Sequence, residues 1–152
     1  MNYIDSLTLD ADMHGTLRYA VRTVGKGEVS LTVLDPQGKP VASCTGTEGE
    51  LHIANPLLWQ PGAPNLYTAR IAFGEDCYEQ TFGFRSIEVR GHDILLNGER
   101  IHLHGPCKHE DLPFHGRGLD VCANVADVSL YKWLNANVLR MSHYPYAEEM
   151  YD

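Results

Sequence analysis

Long apolar runs are missing from this sequence of 152 residues. No stretch approaches the ~18 consecutive apolar residues that a membrane-spanning helix needs, so we expect no membrane partner. Basic residues are also scarce, since 12 Lys and Arg stand against 20 Asp and Glu and give a net charge of −8. Such a surface repels polyanions, and no basic stripe with interleaved aromatics offsets it. We therefore expect no nucleic-acid partner.

Cysteine is sparse and lacks the close spacing of zinc knuckles or redox motifs. Cys44 and Cys77 flank Trp59 as in an immunoglobulin disulfide, but Glu75 stands where that fold has its corner tyrosine. We expect free, mostly buried thiols and a reducing compartment. The N-terminal segment MNYIDSLTLD lacks a basic region and an apolar core, so we expect no signal peptide and a cytoplasmic location. The four cysteines are Cys44, Cys77, Cys107 and Cys122.

Apolar and polar residues alternate with period two from about residue 5 to residue 103, with turn residues between the runs. The segment Asp35-Pro36-Gln37-Gly38 has the composition of a type I turn. Asn97-Gly98 lies between the apolar runs of 94–96 and 101, which is typical of a type I′ hairpin. About seven such strands without a helical period predict a two-layer antiparallel β-sandwich, because a single sheet would leave one apolar face uncovered.

The pattern changes after residue 103. We predict a strand over 101–105, a helix that begins after Asp120, a strand over 138–141 and a second helix that begins near Pro145. This order predicts two parallel strands with a right-handed crossover, which need further strands and covering helices. Residues 1–90 would form the sandwich, and residues 91–152 would form a truncated β/α start. The apolar side of the helix is predicted from Val121, Val125, Val128, Tyr131 and Leu134.

Three segments together resemble glycoside hydrolase family 2: GFRSIEVRGHDILLNGERIHLHG, KHEDLPFHGRGLD and NANVLRMSHYPYAEEMYD. The resemblance implies an immunoglobulin-like sandwich followed by the first units of a (β/α)8 TIM barrel. It also implies a retaining glycosidase as the parent protein, one that hydrolyses the O-glycosidic bonds of β-glucuronides or β-galactosides. The run SHYPYAEE is most similar to the β-glucuronidase type.

The resemblance assigns roles to residues that follow the two predicted barrel strands. His143 matches the histidine that binds the hydroxyl groups of the sugar, and His109 and Glu110 match a segment beside the active site. Arg140 and Tyr144 are expected to be structural residues near the site, with Arg140 as a buried partner for a carboxylate. The family usually has Gly-Val-Asn before this segment, whereas this chain has Gly105-Pro106-Cys107.

A retaining glycosidase needs two carboxyl groups ~5 Å apart, one as nucleophile and one as acid/base. The resemblance places both on glutamates of later barrel strands, one of which follows an asparagine, and no Asn-Glu pair occurs in this chain. Glu148 and Glu149 are neighbours at a predicted helix start and cannot flank one bond. We therefore expect no catalytic residue here, and no activity from this chain alone.

Other functions are also compatible with the sequence. The histidines at 102, 104, 109 and 115 raise the possibility of a metal site, but no zinc spacing occurs, and we expect neither metal nor cofactor. A sandwich that binds carbohydrate or protein without catalysis would expose aromatic residues such as Trp59, Tyr67 and Tyr78. The sandwich would otherwise only position the barrel. An uncovered apolar face on the 121–134 helix would favour a homo-oligomer.

Overall fold

The computed structural model describes residues 2–114, 116–147 and 150, and within them the chain forms sixteen strands and one helix. By its contacts the chain divides into a unit that ends at Ile101, here the sandwich unit, and one that begins at His102, here the β/α unit. The strands are β1 (Tyr3–Ala11), β2 (Thr16–Val24), β3 (Val29–Leu34), β4 (Pro40–Thr45), β5 (Glu48–His52), β6 (Trp59–Gln60), β7 (Ala63–Pro64), β8 (Tyr67–Phe73), β9 (Asp76–Phe82), β10 (Ile87–Arg90), β11 (Asp93–Leu96), β12 (Glu99–Arg100), β13 (Cys107–Lys108), β14 (Asp111–Leu112), β15 (Gly116–Arg117) and β16 (Arg140–Met141), and the helix is α1 (Val121–Trp133).

The sandwich unit is built on two larger antiparallel sheets, with strand orders β1-β2-β5 and β4-β3-β8-β9, and it also contains the smaller antiparallel sheets β10-β11-β12 and β6-β7. Alternate residues of β2, β3 and β8 are buried, which confirms the sandwich that the period of two predicts. The two sheets share one apolar core because their inward side chains pack against each other. Its buried residues are Leu17, Tyr19, Val21, Val29, Leu31, Val33, Ile53, Tyr67, Ala69, Ile71, Phe73 and Phe84.

Both predicted turns form. Gly38 N donates a hydrogen bond to Asp35 O (2.8 Å), which closes the turn between β3 and β4. Asn97 and Gly98 have φ values of +53° and +81°, as the type I′ turn between β11 and β12 requires. The Asn97 side chain also ties the hairpin to the sandwich, since it donates to Trp59 O (3.0 Å).

The β/α unit contains the predicted parallel strand pair, with β13 beside β16. Its first strand starts later than the sequence predicts, because residues 101–106 carry no strand. The side chain of Asn137 accepts a hydrogen bond from His104 N (2.9 Å) and donates one to His102 O (2.8 Å). These backbone groups are therefore not available for pairing with a neighbouring strand. Pro106 has no N–H to donate, and regular pairing begins only at Cys107.

Helix α1 begins where the sequence predicts, since the Asp120 carboxylate accepts from Ala123 N (2.9 Å) as an N-cap. Its inward side differs from the predicted apolar side. Val128 and Tyr131 are half-buried, but Val121, Val125 and Leu134 are exposed, and the buried helix residue is Asn124. On this inward side Asp127 forms an ion pair with the buried Lys108 of β13.

Two further features concern the chain as a whole. Across the part that the structure describes, no helix has the length and apolarity to cross a membrane.

All four cysteines are free thiols, but the expectation that they are mostly buried is wrong. Cys44 is half-buried and its thiol donates to the Tyr19 hydroxyl (3.1 Å), whereas the other three are exposed. The second helix was predicted to begin near Pro145, but residues 145–147 carry no helix, and Glu148 and Glu149 lie outside the described residues.

Candidate functional site

The predicted site residues come together at one edge of the β/α unit. His109 follows β13 directly, and His143 and Tyr144 follow β16 after one residue. Because the two strands are parallel, their carboxyl ends lie at the same edge, where barrel enzymes place their chemistry. The ring centroids of His109 and His143 are 5.7 Å apart, and those of His109 and Tyr144 are 6.2 Å apart. Both histidines are exposed to solvent.

Arg140 connects several groups of this edge. Its Nη1 donates to Ser142 Oγ (2.8 Å) and lies 3.9 Å from Cys107 Sγ, and its Nη2 lies 3.2 Å from His143 Nδ1. The sequence interpretation of Arg140 was a buried partner for a carboxylate. In the structure Arg140 is exposed, and its guanidinium contacts a hydroxyl, a thiol and an imidazole among the described residues.

Glu110 lies at the same edge but faces inward. Its side chain is buried, with 8% of the residue exposed, and its backbone N–H donates to the Tyr144 hydroxyl (2.7 Å). Among the described residues nothing hydrogen-bonds its Oε1 atom. A buried carboxylate oxygen without a donor is costly. Glu110 contacts Tyr144 through its backbone, and its Oε1 atom is shielded from solvent.

Tyr144 lies between several side chains. Its ring stacks on that of Tyr146 at 5.1 Å, and the guanidinium carbon of Arg117 lies 4.5 Å above it. Arg117 also reaches Asp111 (3.4 Å), whose other oxygen lies 3.7 Å from His109 Nδ1. Arg117 and Tyr146 were not predicted as site residues, although both lie in the segments that carry the family resemblance.

Tyr146 joins the ends of the two parallel strands. Its hydroxyl is shared between Lys108 O and Ser142 O, the latter at 3.2 Å. Burial, together with a hydrogen bond and charge from Tyr144, raises the pKa of Tyr146 to about 12. The phenol therefore stays neutral, and continues to donate, to a higher pH than an ordinary tyrosine does.

Lys108 directly precedes His109 in sequence, but its side chain lies on the other side of strand β13. Its side chain is buried and forms an ion pair with Asp127 of α1. Burial, and then the negative charge of Asp127, raises the pKa of the nearby Tyr131. Because successive side chains of a strand alternate, Lys108 faces the helix. Lys108 is thus a structural residue of the β/α unit.

The rival sites of the sequence analysis receive little support. No group of three or more His, Cys, Asp or Glu suited to a metal occurs within residues 2–114, 116–147 and 150, and His115 lies outside them. The imidazole nitrogens of His104 face His102 O (3.2 Å) and Asn135 O (2.6 Å) instead.

The three candidate sugar-binding aromatics of the sandwich do not form one platform. Tyr67 is buried against Phe84, with ring centroids 4.9 Å apart. Trp59 is half-buried beneath the guanidinium of Arg85 at 4.7 Å, and Tyr78 is exposed. An extended stacking surface for a glycan would need several exposed rings on one face, and of these three only Tyr78 qualifies.

Comparison with known proteins gives matches along nearly the whole chain. The model of glycosyl hydrolases family 2 matches residues 3–85, and that of the glycosyl hydrolases family 2 TIM barrel domain matches residues 87–152. The chain is 39% identical to a β-glucuronidase of Paenibacillus borealis and 36% identical to that of Homo sapiens, with 97% of this chain and 26% of each relative covered. The chain therefore spans about a quarter of the length of these relatives.

Solved structures agree with these matches. A Faecalibacterium prausnitzii β-glucuronidase superposes with a TM-score of 0.95 at 50% identity, over 99% of this chain and 26% of that one. A Ruminococcus gnavus β-glucuronidase in complex with D-glucuronic acid superposes with a TM-score of 0.93 at 37% identity, over 99% of this chain and 28% of that one. These likenesses include both the sandwich and the start of the barrel.

Proposed function

Because this chain belongs to glycosyl hydrolase family 2, we propose that it forms part of a retaining glycosidase that hydrolyses β-glucuronides. In this proposal residues 1–90 are the immunoglobulin-like sandwich and residues 91–152 begin the catalytic TIM barrel. The observation that carries the proposal is the meeting of His109 and His143 at the carboxyl ends of two parallel strands. That edge is where a barrel of this kind binds its substrate.

The exposed imidazoles suit the hydroxyl groups of a sugar. A neutral imidazole offers one donor and one acceptor, so His109 and His143 together bind two neighbouring hydroxyls. Tyr144 packs beside His109 and limits where that ring lies. Glu110 would support this edge indirectly, because its backbone N–H donates a hydrogen bond to the Tyr144 hydroxyl. The role of this edge is to bind and orient the sugar.

Bond cleavage is proposed to depend on residues that this chain does not supply. A retaining mechanism needs a nucleophilic carboxylate and an acid/base carboxyl ~5 Å apart. Glu110 is buried, and the exposed Asp111 is engaged by Arg117, so neither suits such a pair. We therefore propose that the 152 residues by themselves do not hydrolyse glycosides.

Of the two substrate classes that the sequence predicts, we propose β-glucuronides rather than β-galactosides. The curated relatives and solved structures described above are β-glucuronidases, and the Ruminococcus gnavus protein was solved with D-glucuronic acid. The segment SHYPYAEE of this chain most resembles the β-glucuronidase type of the family.

A chimera provides the test. The 152 residues would replace the matching quarter of the Faecalibacterium prausnitzii β-glucuronidase, and hydrolysis of 4-nitrophenyl β-D-glucuronide and of the β-D-galactoside would be measured. We expect hydrolysis of the glucuronide, much slower hydrolysis of the galactoside, and no turnover by the 152 residues alone. Within the chimera, His143→Ala should lower kcat/KM by ~10²-fold or more, because a bound hydroxyl loses its partner near the reacting centre.

The matched control is His14→Ala, which removes an exposed histidine of the sandwich unit. It should leave kcat/KM unchanged. A folded chimera that prefers the galactoside would overturn the substrate class, and equal losses for the two histidine variants would overturn the site.

Compartment and assembly follow as smaller proposals. Four free thiols, three of them exposed, support a reducing compartment such as the cytoplasm. The exposed apolar side of α1, which includes Val121, Val125 and Trp133, supports self-association of this chain. Sedimentation over a range of concentrations would test the association, and a monomer at all of them would contradict it.

A further inference from the structure

The guanidinium of Arg140 is held in a fixed position by the strand that carries it. Arg140 and Ser142 are two residues apart, so their side chains leave the chain on the same side. Nη1 of Arg140 donates to Ser142 Oγ at 2.8 Å, and Ser142 is only 1% exposed. A buried hydroxyl has few orientations available, so it makes a firm anchor for the exposed arginine.

The second terminal nitrogen of Arg140 then determines how His143 uses its ring. Nη2 lies 3.2 Å from Nδ1 of His143. Arginine carries only donors and stays protonated at all ordinary pH values. Nδ1 must therefore accept, and a neutral imidazole whose Nδ1 accepts carries its proton on Nε2.

The remaining nitrogen of His143 is available to a ligand. No residue that the structure describes hydrogen-bonds Nε2, and the histidine is exposed. The neighbouring His109 ring meets His143 at 72° with centroids 5.7 Å apart, so it confines the ring without taking a nitrogen. Hydrogen bonds thus connect Ser142 to Arg140, and Arg140 to the exposed ring of His143.

We propose that Arg140 is a positioning residue that fixes the tautomer of His143, so that Nε2 is a dedicated hydrogen-bond donor to an oxygen of the bound sugar. The inference rests on the proposed function for its ligand, but the tautomer is a property of the chain without sugar. A fixed tautomer reduces the ordering that binding would otherwise require. It also commits the site to ligands that present an acceptor at this point.

The tautomer is measurable by nitrogen NMR of the 152-residue chain with ¹⁵N-labelled histidine rings at about pH 8, above the ordinary histidine pKa of ~6.5. His143→Gln identifies the signals of His143 by their loss. We expect a non-protonated Nδ1 and a protonated Nε2 in the wild type. In Arg140→Met the two signals should move toward each other, because the ring then exchanges between tautomers.

Three variants separate positioning from a general structural role. Cys107→Ala removes the other neighbour of the guanidinium and should leave the His143 signals unchanged. Arg140→Lys keeps the charge but cannot reach Ser142 and His143 with one rigid fork, so it should restore the wild-type signals only in part. Ser142→Ala should shift the signals toward those of Arg140→Met, since it releases the anchor.

A wild-type His143 that is protonated on Nδ1, or that exchanges between tautomers, would overturn the proposal, and so would unchanged signals in a folded Arg140→Met variant. If Arg140→Met does not fold, the wild-type signals and the Ser142→Ala shift decide the matter. Failure of the chimera to hydrolyse glucuronides would refute the proposed function and leave these spectra as they are.

Discussion

The sandwich unit and the β/α unit bury different kinds of side chain. The buried set of the sandwich unit is apolar apart from the hydroxyls of two tyrosines. In the described part of the β/α unit, the buried residues are Lys108, Glu110, Asn124, Ser142 and Tyr146. Apolar burial stabilises in proportion to area and without regard to direction, whereas a buried polar group stabilises only when its partner is correctly placed. The stability of the first unit therefore depends mainly on a filled apolar core, and that of the second on correctly placed polar partners.

The surface of the β/α unit shows the same difference. Helix α1 exposes Val125 and Trp133, the latter to 79%. A unit with few buried apolar contacts opens locally at lower free energy than a closed core. The candidate functional edge thus lies in the unit whose structure relies on hydrogen bonds and ion pairs, which is what a site with precisely placed donors requires.

The sharpest test of this comparison uses one phenylalanine from each unit. Phe84 is fully buried against Tyr67 and Phe82, whereas Phe114 is 95% exposed. Phe84→Ala should lower the free energy of unfolding by ~3–5 kcal/mol, because it leaves a cavity in the sandwich core. Phe114→Ala should change it by less than about 0.5 kcal/mol. Urea unfolding measures both, and comparable losses would break the contrast between the two units.

A second test uses one ion pair from each unit. Asp127→Asn leaves the buried Lys108 ammonium without a counter-charge and should cost about 3 kcal/mol of local stability in the β/α unit. Amide hydrogen exchange of α1 should accelerate while that of β3 and β8 stays unchanged. Asp5→Asn is the matched control, because its pair with Arg22 (3.8 Å) is exposed and contributes about 0–1 kcal/mol.

The double variant Lys108→Met with Asp127→Leu should recover most of the loss, because no buried charge then remains. Slow exchange in α1 of the single Asp127→Asn variant would show that the pair does not hold the helix.

The smallest expected effect concerns a property that the two units share. Burial raises the pKa of Tyr19 to about 12, with a contribution from the Cys44 thiol, and burial raises that of Tyr146 to the same value. Each folded-state pKa lies above the ordinary ~10, so the neutral phenol is favoured in the folded chain. The associated stability is complete below pH ~10 and is lost as the pH rises toward 12.

Unfolding free energies across that pH range should therefore fall for the wild type and fall less steeply for Tyr19→Phe and for Tyr146→Phe. Absorbance of the phenolate provides a direct check. If both tyrosines ionise at the ordinary pH of ~10 in the folded chain, the shared property does not exist.

Local chemistry predicted much of this fold. The alternation of Leu17, Tyr19 and Val21 gave a buried strand, Asn97-Gly98 gave a type I′ hairpin, and Asp120 gave the helix N-cap. Each of these signals acts within a few residues, so no knowledge of distant partners is needed. The family resemblance then placed His109 and His143 at strand ends, and the structure brings their rings together.

Three features were decided only by the tertiary structure, because each depends on groups that are distant in sequence. The side chain of Asn137 bonds the backbone of residues 102 and 104, ahead of the strand that begins at residue 107, and Asp127 of α1 pairs with Lys108. Glu110 is buried, and its backbone N–H meets the hydroxyl of Tyr144, thirty-four positions later. Periodicity specifies the type of an element, but which polar groups meet is determined when the elements pack, since each buried polar group left unpaired costs free energy.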